Sequence, residues 1–268
     1  FYLMKLSDFV VKYLEKKKID IVFGVTGGGA MHLNDSFGQS RSIKFIMTHH
    51  EQAASMAAES YTRRSGKIGV CHVTSGPGGT NAITGVVGAF IDSIPQLIIS
   101  GQVETSSLIN NSSLRQRGVQ EVNITKLVKP IVKYCVTIKN PDLIKYELEK
   151  AFFISQNGRP GPVWIDIPLD IQNKKVNLKR LKSFKETKKK SAPFNNKFKQ
   201  IWNLIKKAKR PTFVTGNGIH LSKSEKNLKR VVKLFNIPIL TSWNTSDLFT
   251  KDHQKNIGSF GIFGDRAS

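Results

Sequence analysis

A chain of 268 residues with 39% hydrophobic content is long enough to bury more than one core, and it has no apolar run near the ~20 residues that a membrane span needs. The net charge of +23 invites a nucleic-acid reading, but residues 1–173 carry 19 Lys/Arg against 14 Asp/Glu while residues 174–268 carry 23 against 5. Nine of the basic groups fall within 174–190, a run with no aromatic platform beyond Phe184 and no zinc or RNA-binding signature, which favours a solvated connector over a nucleic-acid arm. With no signal peptide either, a soluble, cytoplasmic protein without nucleic-acid or membrane partners is expected. Cys71 and Cys135 lie in strand-like apolar runs without CxxC spacing, so buried thiols are expected rather than a disulfide, metal ligands or a nucleophile. The chain begins Phe1-Tyr-Leu, and Met4 resembles a natural start. A fragment is expected.

Apolar residues at Leu6, Phe9, Val10, Tyr13 and Leu14 predict a helix over 6–17 with Ser7 as its N-cap. A buried strand over 19–25 then runs into Thr26-Gly27-Gly28-Gly29, followed by a helix over 30–37. The pattern repeats with a strand over 43–47 and a helix over 51–64, and again with a strand over 67–74, the run Ser75-Gly76-Pro77-Gly78-Gly79 and a helix over 82–92. A fourth strand is predicted over 96–101, helices over 119–128 and 141–155, and a last strand of the same sheet over 161–167. Alternating strand, glycine-rich turn and helix predicts an α/β domain, a doubly wound parallel sheet with helices on both faces. The expected domains are 1–172, a Lys-rich linker over 173–193, and 194–268 as an incomplete second α/β, Rossmann-like domain. In the latter the predicted elements are a helix over 196–208, a strand over 211–215, a turn at 216–218, a helix over 223–235 and a strand over 238–241, two strands in all.

Glu51 stands where the second strand hands over to an Ala-rich helix, at the edge where open α/β sheets place ligands, and is the catalytic candidate. The two glycine clusters also follow strands and precede helices, the context in which backbone N–H groups face an anion, but neither completes GxGxxG or GxxxxGK[ST]. All three lie at the carboxyl ends of strands. Local structural roles stay open for each: Glu51 complementing a helix dipole, His50 a core histidine, Pro77 a turn residue, Asn81 a helix cap.

Phe23-Gly-Val-Thr-Gly-Gly28, His50-Glu51-Gln-Ala-Ala, Gly66-Lys-Ile-Gly-Val-Cys, Thr74-Ser-Gly-Pro-Gly-Gly-Thr-Asn81, Asp92-Ser-Ile-Pro95, Ser100-Gly-Gln-Val103 and Gly158-Arg-Pro-Gly-Pro-Val163 occur in that order. In order and spacing they resemble the pyrimidine-binding domain of thiamine-diphosphate-dependent enzymes of the acetolactate synthase group. The resemblance is dense over about residues 4–172, and the remainder is similar to the opening half of that family's central domain. It implies decarboxylation of a 2-oxo acid and ligation of the product to an acceptor, as in branched-chain amino acid biosynthesis. Glu51 would share a proton with N1′ of the cofactor's aminopyrimidine, which promotes loss of the thiazolium C2 proton. Val25, Gly27, Pro77 and Asn81 match positions lining the pyrimidine, Gln120 a glutamine that reaches the active site, and His50 the residue beside the glutamate.

The resemblance also implies Mg²⁺, optional FAD at the central domain, and a homodimer or homotetramer. Two departures bear on the substrate: Val119-Gln120 stands where acetolactate synthases usually carry Phe-Gln, and Pro168-Leu169-Asp170 where they carry Pro-Lys-Asp. Losing that lysine removes a cation facing an anionic 2-oxo acid, so another decarboxylase or carboligase of the superfamily is the alternative. The family's metal-binding Gly-Asp-Gly motif has no counterpart in this chain, since Gly264-Asp265-Arg266 does not continue it. No metal ligands are therefore assigned, and half of a site is expected. A non-catalytic, dimerising fragment is the alternative from another class.

Overall fold

The computed structural model describes residues 2–109, 113–186, 195–262 and 264–266, in two units, Phe1–Thr187 and Lys188–Ser268. In the first unit β1 (Leu3–Lys5) leads directly into α1 (Leu6–Lys16), which buries Leu6, Val10, Val11 and Leu14 along one face. Ser7 does not cap this helix. Lys5 holds the cap position, and the buried Ser7 hydroxyl instead takes a hydrogen bond from Ser36 at 2.8 Å.

Six parallel strands follow: β2 (Ile21–Gly24), β3 (Lys44–Met47), β4 (Gly69–Val73), β5 (Gln96–Gln102), β6 (Tyr134–Thr137) and β7 (Pro162–Pro168). Their order is β3-β2-β4-β5-β7-β6. The helices between them are α2 (Met31–Gln39), α3 (Glu51–Ser65), α4 (Pro77–Ile91), α5 (Ile124–Val128) and α6 (Ile144–Gln156), with the short α7 (Leu169–Gln172) after β7. Alternate strand residues feed two cores. Val22, Val70, Leu97, Ile99, Val163 and Ile165 pack with α1, α2 and α6, while Cys71, Val73, Ile98 and Trp164 pack with α3, α4 and α5. The sheet is thus covered on both faces, which is why its central strands read as continuous apolar runs.

The structure departs from the sequence reading in several places. β6 was not anticipated, because this half-buried strand is short and follows a 3-10 turn, Lys129–Ile131, built around Pro130. It takes the sheet edge, and β7 lies between it and β5. Cys135, on β6, is half-buried rather than buried, whereas Cys71 is fully buried. The helix expected over 119–128 is confined to α5, since Gln120 adopts a left-handed φ of 56° that no helix accommodates. α4 starts at Pro77, five residues earlier than expected, because proline at the first helical position needs no N–H partner.

The first part of the expected linker is structured. β8 (Lys175–Asn177) pairs antiparallel with β1, Val176 and Leu181 join the core, and Phe184 packs edge-to-face on Tyr146 and at a tilt against Phe153. The first unit therefore extends beyond residue 172. The rest of that linker, from 187 to 193, lies outside the described residues.

In the second unit α8 (Asn195–Lys207) precedes β9 (Phe213–Thr215), α9 (Gly218–Leu221), α10 (Glu225–Phe235) and β10 (Ile239–Thr241). A third strand, β11 (Asn256–Ser259), corrects the expected two, and the parallel order is β11-β10-β9. Val232, Ile239, Leu248 and Phe249 form a small core. Phe198, Leu204, Val214 and Leu234 remain exposed, in keeping with the thin cover expected for so small a sheet.

Asp166 on β7 is buried between its register partners, Ser100 on β5 and Thr137 on β6. It accepts hydrogen bonds from the Ser100 and Thr137 hydroxyls and from Gln102 Nε2. Burial pushes its carboxyl up to about 7 against those three donors, which favour the ionised form. With the folded value raised above the unfolded one of about 3.9, the native state holds its proton more tightly. That contribution to stability is complete below the unfolded value and is lost as pH rises through the folded one. Urea denaturation at pH 5 and pH 8 is expected to show Asp166→Asn at a smaller relative disadvantage, or an advantage, at pH 8; an unchanged difference would contradict the buried, proton-holding carboxyl.

Candidate active site

Across the sheet, β2 has β3 on one side and β4 on the other. The direction of winding reverses there, and a crevice opens at such a point beyond the carboxyl ends of the strands. The segments leaving β2, β3 and β4 meet at this edge. A Cβ on Gly27 would lie 2.5 Å from the Thr74 side chain, so the loop after β2 lies directly against the end of β4. The loop is anchored from below. Asn34 Nδ2 donates to the Gly27 carbonyl at 3.1 Å, His72 Nε2 lies 2.8 Å from Asn34 Oδ1, and Gln172 Nε2 donates to the Gly29 carbonyl at 2.8 Å. Burial pushes His72 down to about 4, so the neutral ring serves as a fixed partner within the core.

Glu51 opens α3 and is only 9% exposed. Its Oε2 accepts a hydrogen bond from Asn81 Nδ2 at 3.0 Å, while Oε1 faces Gly78, 3.4 Å from where a Cβ would stand. This contact follows from the packing of α3 on α4. One turn beyond Glu51 and Asn81, Ser55 meets Gly85 so closely that a Cβ on Gly85 would lie 2.3 Å from the Ser55 hydroxyl. Asn81 is thus inside α4, and it does not cap it. Pro77 is the exposed first residue of that helix. His50 is the N-cap of α3: it is exposed, and its Nδ1 accepts from the Gln52 amide at 3.1 Å. Val25 is half-buried, its amide donating to the His72 carbonyl at 3.3 Å.

Gln120 arrives from a different part of the chain. Gly76 has φ 57°, and a Cβ there would fall 2.1 Å from the Gln120 carbonyl oxygen. The loop before α5 is therefore seated on the turn into α4, with the Gln120 side chain exposed. The structure brings together Gly27, Glu51, Pro77, Asn81 and Gln120, while His50 is occupied by capping. It adds Thr74, whose buried hydroxyl has no hydrogen-bond partner among the described residues. Its sequence context, directly before Ser75-Gly76-Pro77, was the available signal for it. At the neighbouring strand ends lies a cavity of about 290 Å³ lined by Gln102, Glu121, Asn123, Thr137 and Asp166 among others. Among the described residues no group of three or more His, Cys, Asp or Glu is placed to hold a metal ion, and no helix is long and apolar enough to cross a membrane.

Residues 4–127 match the N-terminal, thiamine pyrophosphate (TPP)-binding domain of thiamine pyrophosphate enzymes, and residues 198–268 match the central domain of the same enzymes. The chain belongs to the thiamine pyrophosphate enzymes. Relatives include a protein named probable acetolactate synthase large subunit from Methanocaldococcus jannaschii, 34% identical over 99% of this chain and 44% of its own length. A protein of the same name from Methanococcus aeolicus is 37% identical over 97% of this chain and 43% of its own length. Acetolactate synthase isozyme 3 large subunit of Escherichia coli is 33% identical over 96% and 45%. The chain spans under half the length of these curated relatives. The crevice at the β2/β4 switch lies within the stretch that matches the TPP-binding domain.

Two exchanges separate packing from binding here. Gly76→Ala forces a side chain into a left-handed backbone and against the Gln120 carbonyl, and is expected to cost about 2 kcal/mol or more in chemical denaturation. Thr74→Val removes a hydroxyl that has no partner in the fold, so stability should stay within about 0.5 kcal/mol of the parent; a larger loss would show that the hydroxyl is satisfied internally.

Proposed function

We propose that this chain supplies the pyrimidine-binding side of a thiamine diphosphate site in an acetolactate synthase-like enzyme, one that decarboxylates a 2-oxo acid and ligates the product to an acceptor. The observation that carries the reading is the buried Glu51 carboxylate at the β2/β4 switch with Asn81 as its one hydrogen-bond partner among the described residues. A carboxylate taken out of water is costly unless its acceptor capacity is used. Glu51 Oε1 and the Thr74 hydroxyl both have capacity to spare at the same edge, which fits a polar ring carrying donors and acceptors. Glu51 would hold or accept a proton at a ring nitrogen, with Asn81 fixing the carboxyl orientation. Val25, Gly27 and Pro77 would line the ring, and Gln120 would face the substrate. His50 would support Glu51 by capping the helix it opens.

Bound thiamine diphosphate supplies the electron sink that makes 2-oxo acid decarboxylation accessible. Mg²⁺, which takes a near-octahedral oxygen shell, would pair with the diphosphate through segments other than those described, since among the described residues no group of three or more His, Cys, Asp or Glu is placed to hold a metal ion. FAD at the central domain, a homodimer completing the site and a cytoplasmic location belong to the same proposal. The Val119 and Leu169 departures bear on which 2-oxo acid is taken. Leu169 leaves no cation at that position for a carboxylate, so substrate anchoring falls to other groups.

In the full-length polypeptide Glu51→Gln is expected to preserve the fold and to lower turnover of a 2-oxo acid by about 10²-fold or more, because an amide cannot accept and return a proton. Undiminished turnover in a folded Glu51→Gln protein would exclude the role.

A further inference from the structure

In the described part of the loop between β5 and α5, several backbone amides converge on one side chain that the proposed site does not include. Glu121 is half-buried, and its carboxylate gathers three backbone amides of the same loop. Oε1 accepts from Ile109, and Oε2 accepts from Arg117 at 3.1 Å and Gly118 at 3.0 Å. The Glu121 amide in turn donates to the Gly118 carbonyl at 3.2 Å. This closes a tight turn whose interior residue, Gln120, is forced to a φ of 56°. For a residue other than glycine such a backbone persists only where its surroundings hold it there.

Both flanks of the turn are fixed to the sheet edge. Gly118 is buried against Val103, and Gln102 Nε2 donates to the Val122 carbonyl at 2.9 Å. Between these anchors the Gln120 carbonyl is pressed onto Gly76, at the turn that leads into Pro77, Gly78 and Asn81. A carboxylate that accepts three amides is a stronger and more directional clamp than neutral acceptors would be.

We infer that Glu121 is the positioning residue of the site: by binding the Ile109, Arg117 and Gly118 amides it sets the left-handed turn that places Gln120 beside Gly76 and the mouth of the Glu51 crevice. In this reading it acts through Gln120. This rests on the reading of Gln120 as a site residue, and its test is built so that the two can fail separately.

The test uses the full-length polypeptide in four forms: parent, Glu121→Gln, Gln120→Ala and the double variant. Glu121→Asp stands in should Glu121→Gln misfold. Amide hydrogen exchange over residues 109–118 reads the clamp directly, without cofactor or turnover. Steady-state kinetics with a 2-oxo acid, together with thiamine diphosphate affinity from tryptophan fluorescence, read its effect on the site. Glu121→Gln is expected to raise exchange at Ile109, Arg117 and Gly118 about tenfold or more while core strands keep their protection. Its loss of kcat/KM should match that of Gln120→Ala, and the double variant should be no worse than either single one. Unchanged exchange would overturn the clamp, and losses that multiply in the double variant would show that Glu121 acts independently of Gln120. Faster exchange beside a kinetically silent Gln120→Ala would instead remove Gln120 from the site, and the positioning role with it.

Discussion

The site depends on how closely α3 and α4 approach. Both helices start at the carboxyl edge of the sheet, and their contact face is built mostly from small residues: Ala54, Ser55 and Ala58 on one, Ala82 and Gly85, with Val86, on the other. Interiors are packed densely enough that a single methyl group on Gly85 would have to displace Ser55 or the Met56 amide. At that separation, a short amide side chain on α4 reaches a carboxylate on α3, and the Glu51–Asn81 hydrogen bond follows. With bulkier contacts the helices would stand apart, and Glu51 would face water at an ordinary helix start. The composition of two helices thus sets the chemistry of one carboxyl group.

This explains what could be seen in the sequence and what could not. The parallel sheet was legible because its central strands are apolar on both faces and two of them, β2 and β4, run into glycine-rich turns. The edge strand β6 was not placed in the sheet, although Cys135 lies in a strand-like run, since four half-buried residues behind Pro130 are too few to set an element apart by pattern. Glu51 drew notice as a charge at a strand-to-helix junction. Its partner could not be assigned, because Asn81 reads equally well as a cap, and only the distance between helices decides. The loop carrying Gln120 reads as helix from its composition. Nothing local marks the left-handed turn, which is imposed by the Glu121 carboxylate and by contact with a glycine more than forty positions away. Likewise the Lys-rich stretch after residue 172 looks like solvent-facing linker throughout, yet three of its residues pair with β1 and close the unit on itself.

Two buried carboxylates lie along the same edge, and their contrast bears on which one acts. Asp166, on β7, is enclosed by three donors from the two neighbouring strands, β5 and β6, including a Ser100 hydroxyl that also receives the Trp164 indole N–H. Its hydrogen-bonding needs are met inside the fold, so it ties β5, β6 and β7 together and has little to offer a ligand. Among the described residues Glu51, nearly as buried, has a single donor, beside a Thr74 hydroxyl with none. A fold tolerates unmet polar capacity of that kind where something else meets it. Burial alone would not separate these two residues; the count of donors around each does, and it fits a structural role for Asp166 and the chemical role proposed for Glu51.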